Sequence, residues 1–384
     1  MEEYDVVIAG GSISGLMSAR EIAKKGHSVL VLEEGFEIGT PDHCGGLVSK
    51  SGLDELGIEP TQKTFDSMIN SALIYAPSGN SIEINSKKQK VIVVNRRELD
   101  KQVALQAEQS GAEIRVKTGF KEKTKRGVKT TDGEIDCKIL VDCRGVSALI
   151  NNKRDGILLS AQYEIYANWI KDGQVEVYFD NVKYPGFFAW IIPSGNGVGK
   201  VGIAGREINV SNAMEQFLKN KGNYSTIRKI FAPIWFKGPI KNFISENIVI
   251  AGDAAGQSKP TTAGGIYSCG LGGLFAGNAI AEYLESNERS QLKKYQKNWR
   301  DKFGREFEKQ SLARKILERV DNKTIDVVFD SITPEITNEI SNKDDFDFHA
   351  TSIVKLLGMR KSLNTAQNIM GAEIKRLLNY STTR

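Results

Sequence analysis

The chain is 384 residues long, 40% apolar and 26% charged, with a formal net charge of +5. That length can fill two cores or one elaborated one, and the balance is that of a soluble globular protein. No run approaches the ~18 consecutive apolar residues of a membrane span. Four cysteines (Cys44, Cys137, Cys143 and Cys269) form no CxxC pair and only three histidines are present, so no metal site is expected. The basic residues build no recognisable nucleic-acid module, and no nucleic-acid partner is expected.

The first element is a buried strand from Tyr4 to Ala9. It starts so early that no room is left for a signal peptide, which points to the cytoplasm. Gly10-Gly11-Ser12-Ile13-Ser14-Gly15 follows, then a helix from about Ser14 to Lys25 and a second strand, Ser28 to Leu32, ending at Glu33 and Glu34. Strand, glycine loop, helix and strand in this order suit a dinucleotide. Gly10 permits the sharp turn, Gly15 lets helix and strand approach closely, and the helix N-terminus faces a pyrophosphate. Ser12 stands where the pattern has its middle glycine, so the turn must be slightly wider. Glu33 can accept two ribose hydroxyls, which favours an unphosphorylated ribose, as in FAD or NAD.

Further along, Lys90 to Val94 reads as a buried strand, and a helix from about Glu98 to Ser110 ends at Gly111. Cys137 to Val141 is another strand, running into the turn Asp142-Cys143-Arg144-Gly145. Residues 51–90 and 151–243 look different. Their β-type runs (Ser71–Ala76, Gln174–Phe179, Phe187–Pro193 and Gly199–Ala204) alternate with turn residues, which predicts an antiparallel sheet forming a substrate-facing wall.

The stretch Asn247 to Ile266 carries the most information. It reads as a buried strand, a tight turn bearing Asp253, and a glycine-rich loop ending at Gly264-Gly265. A carboxylate there can accept a ribose hydroxyl, while bare backbone offers N–H groups to a pyrophosphate or a flavin edge. Two nucleotide signals bracketing the chain imply one FAD held by both ends. The first end would contribute Gly10, Ser12, Ser14, Gly15, Glu33 and Glu34. Gly252, Asp253, Gly264, Gly265 and Ile266 would serve at the second.

A helix from about Cys269 to Glu285 precedes a mostly helical C-terminal region, residues 286–384, whose charge is segregated. Residues 287–323 carry twelve basic against six acidic side chains, 324–350 are acidic, and 351–384 are basic again. In the first of these, Leu292, Tyr295, Trp299, Phe303 and Phe307 recur at three- and four-residue steps, the pattern of an amphipathic helix. Packing on the protein's own body is the expected role, and peripheral contact with the inner face of the cell membrane is the alternative. The expected fold class is α/β, an α+β composite. It joins a Rossmann-type FAD-binding domain (1–50, 91–150 and 244–285), an antiparallel-sheet substrate domain (51–90 and 151–243) and the helical C-terminal region.

Both loops, with four further motifs, resemble the geranylgeranyl reductase family of FAD enzymes, within the larger p-hydroxybenzoate hydroxylase-like flavoprotein fold. The resemblance runs from about Tyr4 to Glu285. Arg96-Arg97-Glu98-Leu99-Asp100 is one such motif, in which Arg96 resembles the arginine that meets the cofactor's phosphates or adenosine. Pro41-Asp42-His43-Cys44-Gly45-Gly46 is similar to the family's cysteine-glycine motif beside the flavin. Phe188-Ala189-Trp190-Ile191-Ile192-Pro193 resembles the aromatic-x-Trp-x-aromatic-Pro strand of the family's substrate wall. It departs at Phe188, where tyrosine is common, and at Ile192, where a second aromatic is. The segment Lys259 to Ile266 is similar to the loop of the archaeal-type members, which saturate isoprenoid chains of ether-linked membrane lipids.

The resemblance implies a reductase that saturates geranylgeranyl C=C bonds by hydride transfer from reduced flavin, on an isoprenoid lipid. Cys44, Gly45 and Trp190 would form the reacting centre, with Phe188, Trp190 and Pro193 against the substrate. Cys44 would also touch the cofactor, as would Gly45. A thiol of pKa near 8.5 is a poor acid for a simple alkene, so Cys44 serves either as the acid or to orient the substrate or tune the flavin. The electron donor would be external, ferredoxin or NAD(P)H, because only one complete fingerprint exists. The rivals are an FAD-dependent monooxygenase hydroxylating an aromatic or isoprenoid substrate, and a non-enzymatic isoprenoid carrier.

Overall fold

The computed structural model describes residues 2–150, 156–343 and 345–349. In chain order it runs β1 (Glu2–Ala9), α1 (Ile13–Lys24), β2 (Val29–Leu32), β3 (Leu47–Ser49), α2 (Lys50–Glu55) and β4 (Phe65–Ile69). Then come β5 (Ser71–Tyr75), β6 (Ser81–Asn85), β7 (Val91–Val94), α3 (Arg96–Gln109), β8 (Glu113–Arg115), β9 (Phe120–Lys123) and β10 (Gly127–Thr130). The middle holds β11 (Glu134–Asp142), α4 (Ser147–Ile150), β12 (Ile157–Tyr166), β13 (Gln174–Tyr178), β14 (Ala189–Gly195), β15 (Val198–Gly205) and α5 (Val210–Lys219). The last described part is β16 (Ser225–Trp235), β17 (Ile244–Ser245), β18 (Ile248–Ile250), α6 (Ile266–Ser286), α7 (Ser290–Leu317), α8 (Asn322–Asp330) and α9 (Pro334–Lys343).

An eight-stranded sheet has the order β17-β18-β11-β1-β2-β8, with the β9–β10 hairpin attached to β11. β18, β11, β1, β2 and β8 are mutually parallel. Val6 to Ala9 are fully buried because both faces of β1 are covered there, which is why this second half of the strand is continuously apolar rather than alternating. Parallel strands share one C-terminal edge. That edge gathers Gly10 after β1, Glu33 after β2, Cys143 after β11 and the Asp253 turn after β18, the usual ligand crevice of such a sheet.

The second sheet has seven strands in the order β16-β12-β15-β14-β13-β5-β6. It is antiparallel as expected at every pairing but one: β5 and β13 run parallel. The β5–β6 hairpin arrives from a distant part of the chain, so no tight turn dictates its direction against β13. The strand at 91–94 joins neither sheet. It is the centre of a small antiparallel sheet, β3-β7-β4.

α1, α3, α6 and α7 pack on one face of the parallel sheet around the main core. The apolar stripe of α7 belongs to that core: Leu292, Tyr295, Trp299, Phe303 and Phe307 are all at most 2% exposed. Trp299 also donates its indole N–H to the Ser268 carbonyl at 3.0 Å. The stripe therefore packs on the protein's own body. No described helix is long and apolar enough to cross a membrane. The basic stretch 351–384 lies outside the described residues.

Candidate functional site

One cavity of about 1240 Å³ runs from the crevice of the parallel sheet to the seven-stranded sheet. Its cofactor half is made by backbone. Gly10 has φ +108°, and a Cβ there would lie 2.5 Å from the Cys143 carbonyl oxygen. A Cβ on Gly15 would lie 2.2 Å from the Gly10 oxygen, so only glycine lets α1 close on the turn. Ser12 directs its hydroxyl to Ser14 Oγ (3.0 Å) and to the Cys143 carbonyl (3.3 Å), not to the helix N–H groups. Glu33 holds the loop: its carboxylate accepts the Gly11 N–H at 2.9 Å and the Gly35 N–H at 2.7 Å.

The second loop approaches from the other side. Gly252 has φ +71°, and a Cβ there would meet Ser14 Oγ at 2.3 Å, so the two loops interlock. Its N–H donates to Gln257 Oε1 at 2.8 Å. Asp253 accepts the Cys269 thiol at 3.4 Å. Burial, with Asp253 beside it, pushes that thiol well above its ordinary range. Gly264 and Gly265 then lead into α6, whose N-cap Gly265 supplies no side-chain cap.

These features fit a dinucleotide. The N-termini of α1 and α6 both reach the cavity without side-chain caps, whereas Ser49, Asn95, Asn209 and Asp321 cap α2, α3, α5 and α8. Uncapped helix N-termini are anion sites, suited to a pyrophosphate and to the electron-rich edge of a flavin. Arg96, on the first turn of α3, donates to both oxygens of Asp100 at 2.8 and 2.9 Å. Its Nε is buried and has no partner, as expected of an arginine that awaits a ligand oxygen. Arg144, on the β11 turn, also lines the cavity.

The substrate half is built by side chains along one register of the seven-stranded sheet. Gln162 on β12 faces Gly202 on β15, which faces Trp190 on β14, then Val177 on β13, Ile74 on β5 and Ile82 on β6. The row grades from polar to aromatic to aliphatic. A Cβ on Gly202 would sit 2.0 Å from the indole, so the glycine lets Trp190 lie across its strand. From there Trp190 Nε1 donates to Gln162 Oε1 at 3.4 Å, and Gln162 Nε2 donates to the Cys44 carbonyl at 3.2 Å.

Cys44 is held from several sides. Lys200 Nζ donates to its carbonyl at 3.0 Å, and its N–H donates to Asp42 Oδ1 at 3.3 Å. Lys200 and Asp42 form an ion pair at 3.0 Å with side chains 3% and 2% exposed. Arg228 reaches the same carboxylate at 3.4 Å and Glu164 at 2.8 Å. Nearby Asp66 is pushed up to about 6, chiefly by burial and against the pull of Lys200. The Cys44-Gly45 segment thus rests on the polar part of the sheet. A Cβ on Gly45 would strike Ile192 Cδ1 at 2.5 Å.

Of the residues expected at the site, Gly10, Ser12, Ser14, Glu33, Glu34 and Arg96 line the cavity. So do Cys44, Gly45, Asp253, Gly264, Gly265 and Ile266, together with Phe188 and Trp190. Gly15 and Gly252 stand behind the wall and serve close packing. Phe188, just before β14, and Trp190 and Ile192 on it line the cavity, whereas Pro193 does not. Its carbonyl accepts the Ser67 hydroxyl at 2.7 Å.

Sequence reasoning missed Gln162 and Lys200, which strand register alone brings to Cys44, and gave no separate role to Asp42 within its motif. It also missed the far wall, which the end of α7, α8 and α9 supply through Leu317, Ile325, Val328, Phe329, Ile332 and Ile340. The segment after α9 returns to the cofactor loop: Lys259 Nζ donates to the Phe346 carbonyl at 3.1 Å, and His349 Nε2 meets Thr261 Oγ1 at 2.8 Å. Burial, with Lys259 nearby, lowers His349 to about 3, so its imidazole is neutral.

Residues 3–183 match the FAD binding domain family. The chain is 30% identical over 363 residues to digeranylgeranylglycerophospholipid reductase 2 of Methanothermobacter thermautotrophicus, covering 88% of this chain and 94% of that one. Among solved structures, it resembles a geranylgeranyl bacteriochlorophyll reductase-like protein from Thermoplasma acidophilum. The TM-score is 0.83 at 23% identity, over 99% of this chain and 100% of that one. A probable FAD-dependent monooxygenase from Pseudomonas aeruginosa is more distant, with TM-score 0.65 and 17% identity over 86% of this chain and 100% of that one. The fold thus hosts more than one chemistry, and sequence relationship makes the finer choice. The chain is an FAD-dependent oxidoreductase and belongs to the digeranylgeranylglycerophospholipid reductase family.

Proposed function

We propose that the protein saturates the isoprenoid C=C bonds of a geranylgeranyl-bearing ether glycerophospholipid. The observation that carries this is the continuity of one cavity from the cofactor loops to a lining of Trp190, Phe188, Val177, Ile74, Ile82 and Ile84. FAD bound in the crevice and reduced there would supply hydride. The protein's share is to keep water out, to present aromatic faces to positive charge developing on the alkene, and to hold the reacting carbons against the flavin. Trp190 and Phe188 fit the aromatic role, and Cys44-Gly45 the position between cofactor and chain. Whether Cys44 orients the chain or delivers a proton, its peptide is fixed on both sides by Lys200 and Asp42.

This reading assigns residues 1–50, 91–150 and 244–285 to FAD and 51–90 and 151–243 to substrate, with α8 and α9 completing the tunnel. It takes an external electron donor, ferredoxin or NAD(P)H, and a cytoplasmic protein that meets its lipid at the inner face of the membrane. The monooxygenase reading shares the fold but lacks a comparable sequence relationship.

An anaerobic experiment separates them. The holoprotein is reduced with dithionite and mixed with geranylgeranyl-bearing glycerophospholipid, and flavin absorbance and lipid mass are followed together. Flavin reoxidation with lipid mass rising in steps of two hydrogens is the expected result. No reoxidation until air enters, followed by a gain of one oxygen in the lipid, would establish the monooxygenase instead.

A further inference from the structure

The aromatic lining of the tunnel does not end at the strand of Trp190. Phe188 lies 6.0 Å from Trp190, ring centre to ring centre, Phe179 lies 5.6 Å from Phe188, and Phe329 lies 6.5 Å from Phe179. Each of these three contacts is edge-to-face. All four rings line the cavity. They come from two strand regions and from α8, so no local repeat produces the row.

One end of the row is tied to the reacting loop, because Trp190 reaches Cys44 through Gln162. The other end stands on α8, where Val328 and Ile332 also line the cavity. α8 is fixed beside the sheet by polar contacts of its own: Asp326 accepts the Ser78 N–H at 2.9 Å, and Asp330 accepts the Asn80 amide at 2.8 Å. Phe329 therefore has a defined distance from Cys44.

We propose that Phe179 and Phe329 are specificity-determining residues: with Phe188 and Trp190 they form a rail that seats one isoprenoid chain and sets the chain length accepted. The inference rests on the reductase reading. Its physical basis is a match of repeats. A polyprenyl chain carries a double bond at every fourth chain carbon, a spacing comparable with one ring-to-ring step. An edge-to-face row offers each unit an aromatic surface, while Ile74, Ile82 and Ile84 line the same cavity and keep it apolar. A straight saturated acyl chain has no such repeat to engage. Phe329 acts as the terminal stop, because the chain beyond it would have to pass α8.

The test uses flavin-loaded protein and ether glycerophospholipids bearing geranyl, farnesyl or geranylgeranyl chains. Phe329→Trp shortens the rail, and Phe329→Leu removes its last ring with little change in bulk. Wild type should favour the geranylgeranyl lipid by kcat/KM. Phe329→Trp should move that preference to the farnesyl lipid by about tenfold or more, the scale on which apolar pockets discriminate. Phe329→Leu should flatten the preference among the three lipids. Affinities of the oxidised-flavin protein for the same three unsaturated lipids, measured by titration, should shift in the same order without any turnover. Wild-type chain-length ratios in both Phe329 variants and in Phe179→Leu, with flavin retained, would overturn the rail. If wild type reduces none of the three lipids, the reductase reading fails. The affinity series then still decides the rail: length-dependent binding that follows Phe329 supports it, and length-independent binding overturns it.

Discussion

The two halves of the cavity are built on opposite principles. The cofactor half is shaped by missing side chains: a Cβ on Gly10, Gly15 or Gly252 would lie within 2.5 Å of another atom. The substrate half is shaped by side chains that cross strands, with Trp190 laid over Gly202 and Lys200 reaching the Cys44 peptide from β15. Backbone cradles tolerate little and bind one ligand. Side-chain walls can be re-cut position by position while the sheet beneath stays the same, which is how one flavin fold can serve different substrates.

Substitutions on either side of the seam should separate these principles. The largest effect is expected for Gly15→Ala, because its Cβ would meet the Gly10 carbonyl oxygen and that oxygen cannot move without the loop. Purified protein should lose its flavin absorbance while the seven-stranded sheet still folds, as read by far-ultraviolet circular dichroism. Full flavin retention would show that the backbone half is more plastic than the comparison allows. Lys200→Met comes next. It leaves buried Asp42 with Arg228, at 3.4 Å, in place of its nearer cation, at a cost below the about 3–5 kcal/mol of a fully unpaired buried charge, and should lower Tm accordingly. Asp42→Asn added to it should recover part of the loss, and a variant as stable as wild type would mean the pair is hydrated. Gly202→Ala is the mildest. Overpacking against the indole should cost about 1–3 kcal/mol and swing Trp190 away from Gln162, seen as a changed tryptophan fluorescence with flavin binding intact.

Legibility in the sequence follows the same division. Gly10, Glu33, Asp253 and Gly264-Gly265 could be read because a cofactor loop is local: strand, turn and helix are consecutive, and each glycine answers a nearby steric demand. Fold class was equally open, since Val6 to Ala9 run apolar into a glycine loop and the later β-type runs are separated by turn residues. Cys44 and Trp190 came through family resemblance and not through any local pattern. What stayed hidden depends on register. Nothing near Gln162 or Lys200 says that they meet Cys44, because Cys44 lies 118 and 156 positions away from them in the chain. Pro193 stays off the cavity lining for the related reason that one step along a strand reverses the face. The helices α8 and α9 gave a pattern of charge but no sign of the tunnel they close.

β1 lies between β2 and β11, and β11 in turn pairs with β18, so the parallel sheet is finished only when residue 250 has joined residue 142. The tunnel is completed later still, by the helices that end at residue 343. During synthesis the apolar rows of the second sheet emerge from the ribosome well before their cover. Such long-range closure slows folding and leaves sticky surface exposed in the interval. FAD held as proposed, by the loops after β1 and β18, would bridge early and late parts of this sheet, and flavin supply should then govern how much of the newly made chain survives.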